Sequence, residues 1–89
     1  MRVPVYSHQF EKDLKLMKKR GKDLEKLKML IRKVCNGEIL DPRFRDHPLK
    51  GRYMNRRECH IEPDWLLIYK LEPGIVIFER LGTHSDLFE

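Results

Sequence analysis

The chain has 89 residues, and its 19 basic and 14 acidic side chains give a net charge of +5. Its longest apolar run, residues 65–69, is far shorter than the roughly 20 residues that span a bilayer. The stretch 2–6 is too short and too mixed for an export signal. We therefore expect one small domain over residues 1–89, with no membrane partner.

Two cysteines, Cys35 and Cys59, are too few for the disulfide framework of a small secreted protein. Cys35 ends an apolar helical pattern and Cys59 lies in a strand-like run, so we expect both to be reduced and packed in the core. The cytoplasm, which is reducing, is the compartment that fits them.

Positive charge is concentrated in one part of the chain. Residues 1–45 carry 13 basic and 6 acidic side chains, whereas residues 46–89 carry 6 and 8. Six basic residues lie within 43–57, where Asp46 is the one acid: Arg43, Arg45, Lys50, Arg52, Arg56 and Arg57. A guanidinium group binds two phosphate oxygens at once, so this cluster is suited to phosphate and favours a nucleic acid as partner. An acidic protein partner would also fit the charge.

The first half predicts a strand and two helices. The strand is Val3 to Tyr6, at a sheet edge because Pro4 lacks a main-chain donor. Ser7 is a suitable N-cap for a helix with Phe10, Leu14 and Met17 on one face, ending at Gly21. A second amphipathic helix begins near Asp23, ends at Asn36-Gly37 and carries Leu24, Leu27, Leu30 and Val34 at helical spacing.

The second half predicts a loop and three strands. Residues 38–52 contain two prolines and one glycine without a sustained period, so we interpret them as a loop. The strands are Tyr53 to Ile61, Trp65 to Leu71 and Ile75 to Leu81, joined by tight turns in an antiparallel meander. The fold class is therefore α+β, a two-layer β-α-α-β-β-β domain in which a helical hairpin packs on an antiparallel sheet.

Three histidines and one carboxylate fall where the meander could bring them to one end of the sheet: His47, His60, Asp64 and His84. Imidazole suits acid–base chemistry near neutral pH. Zinc binding is the alternative, but the spacings match no local ligand motif, and we expect neither a metal nor another cofactor. Separate surface histidines without a shared task are the third interpretation.

RNA favours the acid–base interpretation, since its 2′-OH is a built-in nucleophile that needs a base, an acid and a cation for the phosphate. Arg80 alternates with Phe78 and Val76 and could supply that cation, or it could form a salt bridge with Glu58 or Glu79. Trp65 and Phe88 could stack on a base, although Trp65 fits a core position as well.

Three segments of the chain resemble a known family: residues 46–51 (DHPLKG), 57–69 (RECHIEPDWLLIY) and 80–88 (RLGTHSDLF). In order and at these spacings, they are similar to the YafQ-type branch of the RelE/ParE superfamily of type II toxin–antitoxin toxins. The helical first half fits the family's layout with less specific residues.

This resemblance implies an endoribonuclease that cleaves mRNA on the translating ribosome. It assigns acid–base roles to His47, His60, Asp64 and His84, with His84 as acid and His60 or Asp64 as base. It also implies that Arg80 meets the scissile phosphate and that Trp65 and Phe88 support activity. The implied partners are a cognate antitoxin and, for the toxin–antitoxin complex only, operator DNA.

Two other functions stay open at this point. One is a non-enzymatic toxin of the same fold that binds and poisons a protein such as a topoisomerase. The other is a basic RNA-binding module without toxicity.

Overall fold

The computed structural model describes residues 1–89 and consists of a five-stranded sheet and three helices. The strands are β1 (Val3–Tyr6), β2 (His47–Pro48), β3 (Arg57–Glu62), β4 (Trp65–Glu72) and β5 (Ile75–Gly82). The helices are α1 (His8–Lys19), α2 (Leu24–Cys35) and α3 (His84–Phe88), and two short 3₁₀ turns cover Pro42–Phe44 and Gly51–Tyr53. The predicted α+β class is confirmed.

The strands lie in the order β1-β5-β4-β3-β2. The meander of β3, β4 and β5 is antiparallel, as predicted. At the edge, β1 pairs parallel with β5, with Val3 opposite Ile75, so the sheet is mixed, whereas the sequence predicted an antiparallel one. The two helices carry the chain back across the sheet between β1 and the meander, which allows this parallel pairing.

Local capping explains where the two long helices begin. The Ser7 hydroxyl accepts a hydrogen bond from the Phe10 amide at 2.9 Å, and the Asp23 carboxylate accepts from the Glu25 amide at 3.0 Å. Side chains of this kind satisfy donors that the first helical turn leaves unpaired. Both predicted helices are confirmed.

The two faces of the sheet carry different clusters. α1 and α2 cover one face and form the main core with alternate residues of the strands, such as Leu67, Tyr69 and Phe78. The intervening residues point to the other face, where Leu66 and Ile68 pack against Leu87 of α3. This second face is the less covered one, and the functional side chains lie on it.

Residues 38–62 depart from the prediction in two places. The expected loop contains the two 3₁₀ turns and β2, which pairs with the first residues of β3. The strand expected from Tyr53 begins only at Arg57, because Tyr53 ends a 3₁₀ turn and Asn55 has a φ of 69°. A left-handed residue breaks an extended strand.

A short helix, α3, was also missed. Its cap is reciprocal: the Thr83 side chain accepts from the Asp86 amide, while the Asp86 carboxylate accepts from the Thr83 amide. The pattern of a threonine followed three residues later by an acid is a recognised helix start, so the sequence did contain this signal.

Both cysteines are free and buried, in agreement with the sequence interpretation. None of the three helices has the length and the apolar surface that a membrane-spanning helix needs.

Candidate active site

A row of three polar residues lies on the second face of the sheet, beside the hydrophobic patch under α3. Glu58 is opposite Ile68 on β4, and His60 is opposite Leu66. His47 on β2 is in turn opposite Glu58. Because directly opposed residues share a face, the three side chains stand next to one another.

Glu58 lies at the centre of this row. Its Oε2 is 2.8 Å from Nε2 of His47 and 3.7 Å from Nε2 of His60. The side chain is only 6% exposed, and its Oε1 is buried without a hydrogen-bond partner. A buried carboxylate with an unpaired oxygen is costly for stability, which is typical of a functional position.

The two histidines of the row differ in what their ring nitrogens contact. In His47, Nδ1 faces the Pro48 carbonyl at 3.0 Å and Nε2 faces Glu58, so both nitrogens already meet acceptors. In His60, Nδ1 faces the Pro63 carbonyl at 3.3 Å. Its Nε2 is too far from Glu58 for a hydrogen bond and is therefore available for proton transfer.

His84 comes to the row from the first position of α3. Its Nδ1 lies 2.7 Å from Oδ1 of Asp64, and its main-chain N–H donates to the same oxygen at 2.9 Å. These hydrogen bonds hold the pKa of Asp64 below its usual value. The ionised carboxylate fixes the Nδ1–H tautomer and directs Nε2 of His84, which is half exposed, toward solvent.

The histidines converge as the sequence predicted. The ring centroids of His60 and His84 are 5.8 Å apart, and those of His47 and His60 are 6.4 Å apart. Phe88 lies one helical turn after His84, 6.2 Å away between ring centroids, and is 42% exposed. The site therefore combines three imidazoles and a partly exposed aromatic ring.

Arg80 is placed differently from its predicted position. Ile68 pairs with Arg80 but Tyr69 pairs with Phe78, so Glu79 is an extra residue that reverses the alternation. Arg80 consequently lies on the face of Ile68, opposite to that of Phe78.

Arg80 forms a salt bridge with Asp13 of α1, and the alternative interpretation that its partner is Glu58 or Glu79 is wrong. Nε and Nη2 donate to the Asp13 carboxylate at 2.8 and 3.3 Å, and Nη1 donates to the Tyr53 hydroxyl at 3.4 Å. Asp13 raises the pKa of Arg80. Two of the five guanidinium N–H groups remain without a partner in the chain.

Trp65 is fully buried in the main core. Its ring offers no face to a base, so the stacking interpretation is wrong and the core interpretation is correct. The Lys22 ammonium lies over the ring, 5.5 Å from its centroid. Trp65 therefore supports the turn between β3 and β4, in which Asp64 lies.

The basic cluster of residues 43–57 divides into two groups. Arg52 donates to the Leu87 carbonyl, Arg56 pairs with Glu79 and Arg57 pairs with Asp46, so these three brace the fold. The other three form no ion pair within the chain and are exposed: Arg43, Arg45 and Lys50.

Glu58 is the site residue that sequence analysis missed, since it was considered only as a partner for Arg80. The signal that could have found it is its place two residues before His60, which puts both side chains on one face of a strand. His47, Glu58 and His60 form the chain's one potential metal-binding group, with ligand atoms within 4.8 Å of one another.

The site thus places acid–base side chains near cations without an ion pair and near a partly exposed aromatic ring. These are the groups that cleavage of a phosphodiester requires. Comparison with known proteins agrees. A family model described as "Bacterial toxin of type II toxin-antitoxin system, YafQ" matches residues 2–89. The chain belongs to the YafQ family of bacterial toxins.

Individual relatives show the same similarity. The mRNA interferase toxin YafQ of Escherichia coli K12 is 49% identical over 84 residues, which cover 93% of this chain and 91% of the relative. YafQ in the E. coli DinJ–YafQ complex superposes with a TM-score of 0.92 at 47% identity, with both chains fully covered. A metal-bound toxin from Helicobacter pylori gives 0.93 at 40% identity, covering 99% of this chain and 100% of that one.

Proposed function

We propose that this chain is the toxin of a type II toxin–antitoxin system, an endoribonuclease that cleaves mRNA on the translating ribosome. The observation that carries the proposal is the convergence of His60 and His84, 5.8 Å apart between ring centroids, on the less covered face of the sheet. The mRNA interferase at 49% identity supports the same substrate class.

We assign the following roles to these groups in cleavage by the 2′-OH. Nε2 of His60 accepts the proton of the 2′-OH, whose oxygen attacks the adjacent phosphorus. The bond from phosphorus to the 5′ oxygen breaks, and Nε2 of His84 donates a proton to that leaving oxygen. The products are a 2′,3′-cyclic phosphate and a 5′-OH, without a metal ion or another cofactor.

Other residues support these two. Asp64, with both hydrogen bonds from His84 in place, orients the acid and stabilises the charge that the ring carries before it gives up its proton. Glu58 holds His47 beside His60. The remaining donors of Arg80 stabilise the charge that develops on the phosphate, and Phe88 stacks on a neighbouring base.

Partners follow from the same assignment. A cognate antitoxin neutralises the toxin, by similarity to the DinJ–YafQ complex, and the pair rather than the toxin alone binds operator DNA. Arg43, Arg45 and Lys50 bind the mRNA and ribosomal phosphates. Because its substrate is translated mRNA, the toxin acts in the cytoplasm, as one domain over residues 1–89.

Primer extension on mRNA after expression of the chain tests the proposal. Cleavage produces discrete new 5′ ends during growth arrest, and His60→Ala and His84→Ala remove both the ends and the arrest. Growth arrest with intact mRNA would instead identify a toxin that poisons a protein, and folded His variants that still arrest growth would refute the catalytic assignment.

A further inference from the structure

A cavity of about 480 Å³ opens beside the active site, along the outer edge of β3. β2 pairs only with Arg57 and Glu58, so the edge of β3 beyond Glu58 has no strand partner. α2 and the turn Pro42–Phe44 form the opposite wall. Six of the residues that line the cavity carry the argument below: Lys26, Met29, Arg43, Phe44, Arg45 and Ile61.

We propose that this cavity is a nucleotide subsite, which holds the mRNA nucleotide adjacent to the scissile phosphate. The inference rests on the proposed endoribonuclease function and adds the place at which the protein recognises a nucleotide of its substrate. Its first support is continuity with the catalytic groups, because His60 and Pro63 also line the cavity. The Pro63 carbonyl oxygen lies 3.3 Å from Nδ1 of His60. An mRNA chain whose scissile phosphate lies between His60 and His84 therefore passes the mouth of the cavity.

The charge of the cavity favours a phosphate group. Arg43 and Arg45 have no acidic partner in the chain and are exposed. The single acid of the wall, Glu62, binds Lys26 at 3.0 Å and Lys22 at 3.3 Å, which lower its pKa. The negative charge of Glu62 is thus compensated, and two arginines remain for the substrate.

The inner wall favours a base. Phe44 is 8% exposed and forms an apolar wall with Met29 and Ile61. The Arg43 guanidinium lies over the Phe44 ring, 4.8 Å from its centroid. The ring fixes one face of the guanidinium, and a base can stack on the other, since arginine planes and aromatic rings are common platforms for unpaired bases. The volume is in the range of pockets for small ligands.

An acidic segment of the antitoxin would match the arginines but would not use a stacking platform next to an acid–base group. The combination of stacking surface, cations and His60 at one cavity favours a nucleotide.

The test measures the positions and rates of cleavage by primer extension, on a set of transcripts in a purified translation system. Arg43→Ala, Arg45→Ala and the cavity-filling Met29→Trp are compared with the parent. Arg32→Ala, an exposed arginine of α2 outside the cavity, is the matched control. Circular dichroism establishes that each variant is folded, and the two arginine variants remove only exposed side chains.

We expect Arg43→Ala and Arg45→Ala each to lower the cleavage rate at limiting ribosome concentration about tenfold, the effect of losing one charge-assisted contact. Met29→Trp should lower the same rate because the larger side chain fills the space of the nucleotide. We also expect a changed nucleotide preference at one position beside the cut, which a loss of general electrostatic attraction would not produce. Arg32→Ala keeps both rate and preference.

A crosslink gives an independent readout. An mRNA with a 2′-O-methyl group at the cleaved nucleotide cannot be cut, and 4-thiouridine beside it should crosslink to the peptide of residues 39–58, which cleavage after glutamate releases and which contains Phe44. A crosslink confined to other peptides contradicts the subsite.

The failures can be told apart. Unchanged rate and preference in all three variants, with the parent still cutting, overturns the subsite and leaves the endoribonuclease standing. Weaker antitoxin binding with unchanged cleavage assigns the cavity to the antitoxin and likewise overturns the subsite. Absence of any new 5′ end with the parent overturns the endoribonuclease itself.

Discussion

The Asp64 carboxylate accepts two hydrogen bonds from His84, one from Nδ1 at 2.7 Å and one from the main-chain N–H at 2.9 Å. The same oxygen thus fixes both the ring and the start of α3. This contact between two exposed residues joins the β3–β4 turn to the end of β5, and it sets the direction of Nε2 of His84.

We expect Asp64→Asn to lower kcat about tenfold, since the amide can accept the same hydrogen bonds but cannot balance the charge of a protonated ring. His84→Ala removes the acid itself and should cost about 10² to 10⁴-fold. Cleavage of a translated reporter mRNA measures both. Glu25→Gln, which changes an exposed carboxylate on α2, is the control, and equal rates for Asp64→Asn and the parent would contradict the role of Asp64.

The sequence predicted the elements whose signals are local. Hydrophobic periods and turn residues defined α1, α2 and the three strands of the meander, and the topology brought His47, His60 and His84 together. Their convergence was predictable because the end of one strand in a meander lies beside the start of the next, so residues near these positions lie at the same end of the sheet.

The errors came from features that depend on tertiary contacts. The extra residue at Glu79 moves Arg80 to the other face, and a bulge of this kind leaves no clear mark in an alternating sequence. The buried partner Asp13 is 67 residues away from Arg80. An acid in a helix is expected to be exposed, so its burial could not be predicted from the pattern.

Gly82 is predicted to be essential for the position of α3. A Cβ added there would lie 2.8 Å from Cβ of Asp86, closer than folded proteins tolerate. Gly82→Ala should therefore displace α3 and His84, and lower activity more than stability. We expect a loss of about 1–3 kcal/mol in the free energy of unfolding together with a severe loss of cleavage. Gly37→Ala, at a residue with open space but a φ of 71°, is the comparison: it should cost stability and leave cleavage by the folded fraction unchanged.

The buried cysteines should be unreactive in the folded protein. Burial raises the pKa of the Cys59 thiol and that of Cys35, and the thiolate is the reactive form. A thiol reagent at pH 8 should label neither cysteine in native buffer and both in guanidinium chloride, as counted by mass spectrometry. Rapid labelling of Cys59 in the folded state would show that β3 opens readily.

Transition metals should inhibit the toxin rather than activate it. His47, Glu58 and His60 present ligand atoms within 4.8 Å of one another, and zinc bound there would occupy Nε2 of the base. We expect a chelator that spares magnesium to leave cleavage unchanged, and added zinc to suppress it. Glu58→Gln should weaken this inhibition. Loss of cleavage on chelation would contradict the metal-independent mechanism.

Acid should destabilise the fold through Asp86. Arg20 and the Thr83 amide hold the pKa of Asp86 well below its usual value, with Arg20 Nη1 2.7 Å from the carboxylate. Because the folded pKa is the lower one, this contribution to stability is complete above the unfolded pKa of about 4 and is lost as the pH falls toward the folded value.

Urea unfolding between pH 7 and pH 3 should therefore show falling stability for the parent and a shallower fall for Asp86→Asn. Asp41→Asn, whose carboxylate caps the 3₁₀ turn Pro42–Phe44 without an ion pair, should retain the parent's slope. If Asp86→Asn and the parent lose stability in parallel across this range, the Arg20–Asp86 pair is not the acid-sensitive tie between α1 and α3.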